Sequence, residues 1–390
     1  MRLEAIELHR VALPLVRPFE TSFGRETERD VLLVHVRTDA GDGWGECVAG
    51  RDPFYSSEYV EGAAAVIERY LAPALFAARQ PATRPTTARA ARNREIAPLA
   101  SSVAPALAGI AGHRMAKAAL EAAVLDAELR ASGTSMGTFF GAERSWVDCG
   151  VSVGIAPSID DLLDEVAGYV AEGYRRIKLK IKPGWDLLPV AAVRELLGPR
   201  GLLQVDANTA YSRADVPLLA ELDAFGLLLV EQPFAEEDIA SHVALAAAST
   251  TPVCLDESIL DVTTALDAID RGATSVVNIK AGRMGGYLEA LAVHDACRER
   301  DVPVWCGGML ESGIGRAANV ALAALPGFTL PGDTSGSRRY FAEDLTAPFE
   351  LGEGEHRGQL AVPAGAGTGV TVRSDLVERL SSRSVTILER

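Results

Sequence analysis

The chain has 390 residues and a formal net charge of −15, from 53 acidic and 38 basic side chains. With 48% apolar and 23% charged residues it can bury a large core and is not a disordered segment. The acidity, with no basic stretch to offset it, excludes a nucleic-acid partner or an anionic membrane surface, and no apolar run approaches the 18 residues of a membrane span.

In chain order, residues 1–50 read as antiparallel strands. Ile6, Leu8, Val11, Leu13 and Leu15 belong to one, and Val31 to Val36 to a second that ends in the turn Asp39-Ala40-Gly41-Asp42-Gly43. Between them a polar, Gly-containing loop over 19–27 is long enough to act as a flap. From about 55 to 131 the pattern is helical and alanine-rich, interrupted near 80–103 by Pro81, Pro85, Pro98 and scattered arginines that suggest an exposed connection. A helix from His113 to Arg130 closes at Gly133. After Cys149, short β-rich apolar runs recur at 151–155, 177–181, 202–206, 227–231, 252–256, 275–280, 303–307 and 328–330, each followed by a helical pattern or a turn. Strands alternating with helices indicate βα units, and eight of them predict a closed barrel. An open doubly wound sheet is the alternative, but the G-x-G-x-x-G turn that usually follows its first strand is missing.

The polar residues that end these runs fall into step. Lys180, Asp206, Glu231, Asp256 and Lys280 follow one another at intervals of 26, 25, 25 and 24 residues, one βα unit each. In a barrel, equivalent positions point to the same mouth, where barrel active sites are built. Taken singly, an Asp at a strand end is an N-cap and a Lys beside an acid is a weak surface ion pair; the common period is what sets these five apart. Three converging carboxylates repel unless a cation offsets them, and a hard divalent ion such as Mg²⁺ accepts oxygen ligands while leaving places for a substrate carboxylate. That arrangement suits removal of a proton from the carbon next to the carboxylate, with lysine as base. A second ammonium, Lys178, and the nearby metal are expected to lower the pKa of that base.

Here the chain resembles the enolase superfamily in its muconate-lactonizing branch. The matching segments are Lys178-Leu179-Lys180, Asp206-Ala207-Asn208, Glu231-Gln232-Pro233, Asp256-Glu257-Ser258 and Asn278-Ile279-Lys280. Gly43-Trp44-Gly45-Glu46-Cys47, the Tyr55–Tyr59 stretch, Gly307–Gly315 and Leu330-Pro331-Gly332-Asp333 are similar to the o-succinylbenzoate synthase and N-acylamino acid racemase group. The resemblance spans nearly the whole chain and implies an α/β fold: a (β/α)7β modified TIM barrel over 134–335, an α+β capping domain over 1–133 with a mobile loop at 19–27, and a segment over 336–390 that returns to the cap. It implies Mg²⁺ (or Mn²⁺ or another divalent ion) on Asp206, Glu231 and Asp256, with Lys180 and Lys280 as catalytic bases on opposite faces of the substrate. Lys178 would contact the substrate carboxylate, and Asn208 and Glu257 would support the metal and its ligands. Ser152, Gly308, Leu310, Phe19 and Phe23 would line the pocket or close over it. The implied reaction is syn dehydration of a succinyl-hydroxycyclohexadiene carboxylate in menaquinone biosynthesis, with racemisation of N-acylamino acids on the same site, by a homo-oligomer (dimer or octamer).

Arg283 matches an arginine carried by the racemase-competent members of that group; a loop arginine that caps a carbonyl or pairs with Glu311 is the other reading. Racemisation as the sole main activity is an alternative, followed by dipeptide epimerase or muconate cycloisomerase. A dipeptide epimerase would need Asp-x-Asp where Asp333-Thr334-Ser335 stands, and a mandelate-racemase-like site would need a histidine in 303–308. A non-catalytic barrel serving as a binding module is disfavoured by the intact acids and lysines. The glycines of Gly282–Gly286 and Gly307-Gly308 lack the helix-start clustering of a phosphate site. The five cysteines are widely spaced without a C-x-x-C pair, which reads as reduced thiols in a cytoplasmic protein, and Cys306 reads as a core thiol. The stretch over 78–105 looks longer than usual for the group.

Overall fold

The structure, a computed structural model, describes residues 1–78 and 99–388, so most of the 78–105 stretch, with Pro81, Pro85 and Pro98, lies outside the described residues. Three antiparallel strands open the chain: β1 (Leu3–Glu20), β2 (Arg25–Thr38) and β3 (Gly41–Cys47). The region expected as a loop over 19–27 is narrower than its polar composition suggested. Phe19 pairs with Glu26 and Glu20 with Arg25, so only Thr21–Gly24 form the turn.

Alternation sorts this sheet into two faces. Ile6, Leu8, Leu32, Val34 and Val36 are buried on one face, where the helix Arg114–Ser132 packs. That helix presents alanines, and the sheet presents Gly43 and Gly45. A Cβ on Gly43 would stand 2.2 Å from the Ala127 nitrogen, and one on Gly45 would stand 2.1 Å from the Ala119 oxygen. Backbone therefore meets backbone, which explains the Gly-Trp-Gly pattern. Gly133 ends the helix in the left-handed region, at φ 69°.

The strand β4 (Trp146–Asp148) leads into seven parallel strands: β5 (Gly150–Val153), β6 (Arg176–Lys180), β7 (Leu202–Asp206), β8 (Val230–Glu231), β9 (Val253–Leu255), β10 (Val276–Ile279) and β11 (Val304–Cys306). They pair in sequence order in one curled sheet. The eighth run does not form a regular strand. Instead, isolated parallel bridges join Val304 to Phe328 and Cys149 to Gly332, and the Gly332 oxygen accepts from the Gly150 nitrogen at 2.7 Å. Pro331 lacks the N–H that a ladder needs, which accounts for the irregular closure.

β12 (Gln359–Ala361) pairs with β4, and β13 (Ser381–Leu388) runs antiparallel to β1, so the cap sheet is ordered β13-β1-β2-β3. The glycine turn 365–369 is a clamp on the cap helix. Asp126 accepts from the Thr368 nitrogen at 2.6 Å and from the Trp44 nitrogen at 2.9 Å, while Arg130 donates to Thr368 Oγ1 and the Val370 oxygen.

Candidate active site

Strand register lays the site out. Lys180 pairs with Asp206 across β6 and β7, and Asp206 with Glu231 across β7 and β8, so three of the five periodic residues stand side by side at the C-terminal ends of their strands. Asp256 and Lys280 follow β9 and β10 immediately. All five are buried.

The ammonium groups knit the carboxylates together. Lys180 Nζ lies 2.6 Å from Asp206 Oδ2 and 2.6 Å from Asn208 Oδ1. Lys280 Nζ lies 2.6 Å from Asp256 Oδ2 and 3.2 Å from the Tyr55 hydroxyl. Lys178 Nζ stands between Asp206 Oδ2 at 3.3 Å and Glu231 Oε2 at 3.2 Å, with Asp333 Oδ2 closest at 2.6 Å. Asn278 donates to Glu231 Oε1 at 2.8 Å, and Asn208 donates to Glu257 Oε1 at 3.0 Å.

Charge is unevenly offset here. Burial pushes Asp206 up, but Lys180 and Lys178 bring it down to about 2. Burial and then Asp206 push Glu231 up to about 8, and burial with Asp256 pushes Glu257 up to about 7. Asp256 Oδ1 and Glu257 Oε2 are buried without a hydrogen bond among the described residues. Surplus negative charge on an oxygen-only donor set fits a hard divalent cation, so Asp206, Glu231 and Asp256 are the residues able to hold one. Burial pushes Lys178 and Lys280 down, yet the acids around them, led by Asp333 for Lys178 and Asp256 for Lys280, hold both above the usual lysine range.

Other expected residues fall around this network. Ser152 pairs with Lys178 in the strand register, and its buried Oγ makes no hydrogen bond among the described residues. Gly308 lies beside Asp333 and Glu311, and Leu310 adopts a left-handed φ of 58°. Asn208 and Gln232 share that conformation, at φ 43° and 35°, so backbone strain gathers at the strand ends that carry the acids. Phe23, at the hairpin tip, packs on Tyr55 at 5.3 Å, and Ser22 donates to the Asn208 oxygen at 3.2 Å. Phe19 turns instead toward Tyr340, with the Arg339 guanidinium over its ring. Arg283 caps a carbonyl, donating to the Glu257 oxygen at 2.6 Å, and its salt-bridge partners are Glu236 at 3.4 Å and Asp256 at 3.9 Å, not Glu311. Cys306 is a buried thiol.

Sequence reasoning missed the roles of Asp333, Arg176 and Tyr55. Arg176 donates to Asp333 Oδ1 at 2.9 Å, so Asp333 bridges Arg176 and Lys178, and Trp305 lies under the Lys178 ammonium at 4.9 Å. The signal was available, because Asp333 ends the last interval of the barrel period.

The family described as "Enolase C-terminal domain-like" matches residues 161–376, and the mandelate racemase / muconate lactonizing enzyme N-terminal domain matches residues 5–141. The chain belongs to the mandelate racemase / muconate lactonizing enzyme family of the enolase superfamily. An N-succinylamino acid racemase from Amycolatopsis sp is 54% identical over 387 residues, covering 99% of this chain and 100% of the relative. An o-succinylbenzoate synthase from Geobacillus kaustophilus is 42% identical over 383 residues, covering 97% and 96%. Among solved structures, an enolase-superfamily protein from Listeria innocua superposes with a TM-score of 0.90 at 36% identity and covers all of both chains.

Proposed function

We propose that this chain is a divalent-metal-dependent enzyme that abstracts the proton next to a carboxylate, acting as an o-succinylbenzoate synthase with N-acylamino acid racemase activity. The observation that carries this reading is the placement of two lysines across one mouth. Lys180 ends the second and Lys280 follows the sixth of seven parallel strands in a ring closed by an eighth segment, which supports two bases on opposite sides of the acidic cluster.

Asp206, Glu231 and Asp256 would hold Mg²⁺, which when bound supplies Lewis-acid stabilisation of the charge that develops on the substrate carboxylate. Lys178, fixed by Asp333, offers a cation toward that same carboxylate. In the dehydration Lys180 Nζ takes the α-proton and returns it to the departing hydroxyl on the same face. Lys280 stays protonated and faces the developing charge. In the racemisation Lys280 delivers a proton to the opposite face, so one pair of bases serves both reactions. The hairpin tip with Ser22 and Phe23 covers the mouth and excludes water.

The finer expectations travel with this reading: a cytoplasmic homo-oligomer whose synthase step belongs to menaquinone biosynthesis. No helix among the described residues is long and apolar enough to cross a membrane. The higher identity to the racemase, 54% against 42%, favours racemisation as the main activity as a second reading.

Steady-state rates on the cyclohexadiene substrate and on N-succinyl and N-acetyl amino acids, with and without Mg²⁺, test the proposal. Both activities are expected, lost on chelation and lost in Lys180→Ala. A Lys180→Ala protein that exchanged the substrate α-proton at the wild-type rate would overturn the mechanism.

A further inference from the structure

A second cluster lies outside the barrel, on the cap sheet face away from the helix Arg114–Ser132. Glu7 and His9 share that face of β1 because they are two residues apart, and Glu7 pairs directly with His35 on β2. One ligand atom from each of these three residues can be chosen so that all lie within 4.8 Å of one another. Glu7 Oε2 is 3.1 Å from His35 Nδ1 and 3.7 Å from His9 Nε2. Three ligands of a tetrahedral ion with bonds of about 2.0–2.1 Å stand about 3.3 Å apart, so the two spacings from Glu7 bracket that edge.

The surroundings match as well. The far nitrogen of each ring already has a partner that would fix its orientation. His35 Nε2 faces Asp42 Oδ2 at 2.8 Å, and His9 Nδ1 faces Ser384 Oγ at 3.1 Å. A carboxylate behind a ligating imidazole is the usual outer support of a zinc-bound histidine. Arg37 occupies the other oxygen of Glu7, Oε1, at 3.2 Å, which leaves Oε2 turned to the imidazoles. His9 Nε2 is a buried nitrogen with no hydrogen bond among the described residues. At 3.7 Å its approach to Glu7 is too long for one, yet it is right for a shared ion. Trp44 stacks on the His35 ring at 4.1 Å and limits its rotation. The three side chains remain 13–19% exposed, which leaves a path for an ion and room for water as a fourth ligand.

We propose that Glu7, His9 and His35 form a binding site for a borderline transition-metal ion, Zn²⁺ in the first instance, that staples β1 to β2 in the cap. Two imidazole nitrogens and one carboxylate oxygen suit Zn²⁺ and suit Mg²⁺ poorly, so the site is chemically distinct from the oxygen-only cluster in the barrel.

The test uses the full chain, stripped of metal and then saturated with Mg²⁺ to occupy the barrel. Titration with Zn²⁺ against a chromophoric chelator is expected to show one retained equivalent, and X-ray absorption at the zinc edge to show two imidazole ligands. His9→Gln and His35→Gln should lose that equivalent, and Asp42→Asn should weaken it roughly 10–100-fold, all with wild-type α-proton exchange. Glu7→Gln, nearly isosteric, covers the case in which a histidine variant folds poorly. Zn²⁺ bound with wild-type affinity by a folded His9→Gln or Glu7→Gln protein, or a zinc shell without imidazole, would overturn the proposal. So would failure of the wild type to retain any zinc.

Discussion

Asp333 joins the charge network of the barrel to its closure. Its two oxygens are shared between Arg176 and Lys178, and all three side chains are buried. Replacing it with Asn removes the charge while keeping the size, so Lys178 is left to Asp206 and Glu231 and is drawn toward the acidic cluster. We expect Asp333→Asn to lower kcat roughly 10–100-fold, the range seen when groups orienting a ligand shell are lost, with an unchanged far-UV circular dichroism spectrum. An unchanged kcat would show that Lys178 holds its place without this partner. A different carboxylate carries a pH prediction. Glu121 is buried in the cap helix and accepts from the Leu288 nitrogen at 3.0 Å, and burial pushes its pKa up from 4.5 to about 8. The folded chain therefore binds more protons at this position than the unfolded chain between those two values. Stability from this group is fully present below 4.5 and declines as pH rises toward 8, by a few kcal/mol at most. Thermal unfolding across pH 5–9 should show a smaller fall for Glu121→Gln than for the wild type, and equal slopes would remove Glu121 as the source.

The elements explain which parts of the sequence could be read. The strands β6 and β7 begin and end within one residue of the apolar runs that foretold them. They are short, flanked by a parallel strand on each side, and end in the charged residues that mark the mouth. The run 227–231 shrinks to the two residues of β8, although Leu228 and Leu229 still hydrogen-bond to β7, because hydrophobicity reports burial and not ladder regularity. The hairpin arms beyond Pro14 were hidden for the opposite reason. Residues 25–28 alternate charge without apolar content, and only the partner strand makes them β. The site was legible where one residue per repeat carried it; Arg176 and Tyr55 become visible only when distant segments are brought together. At this scale Gly45 offers a sharp test. The helix backbone 2.1 Å from its missing Cβ cannot step aside as a side chain would. Gly45→Ala should cost about 3 kcal/mol or more, read as a lowered midpoint of thermal unfolding, and an unshifted midpoint would mean that the helix can move off the sheet.

Across the whole molecule, several contacts rivet the cap to the barrel. The hairpin tip meets the mouth where the Ile155 nitrogen donates to the Glu20 oxygen at 2.9 Å. On the other side Glu46, from β3, caps the barrel helix Gly313–Ala323 by accepting from the Ser312 and Gly315 nitrogens, each at 3.0 Å. The third large-scale bond is β13 against β1, seven paired positions joined across almost the full length of the chain. Removing Ser381–Leu388 would leave β1 as an open edge, so we expect the truncated protein to self-associate on size-exclusion chromatography. A monodisperse profile with unchanged thermal stability would show β13 to be dispensable. The same pairing sets a clock on biosynthesis. About 360 residues separate the end of β1 from the start of β13, and at roughly 5–20 residues per second a ribosome needs about 20–70 s to deliver the second after the first. For that interval one side of β1 has no partner of its own, so a strand made early is among the last to be finished, and dependence on chaperones should concentrate there.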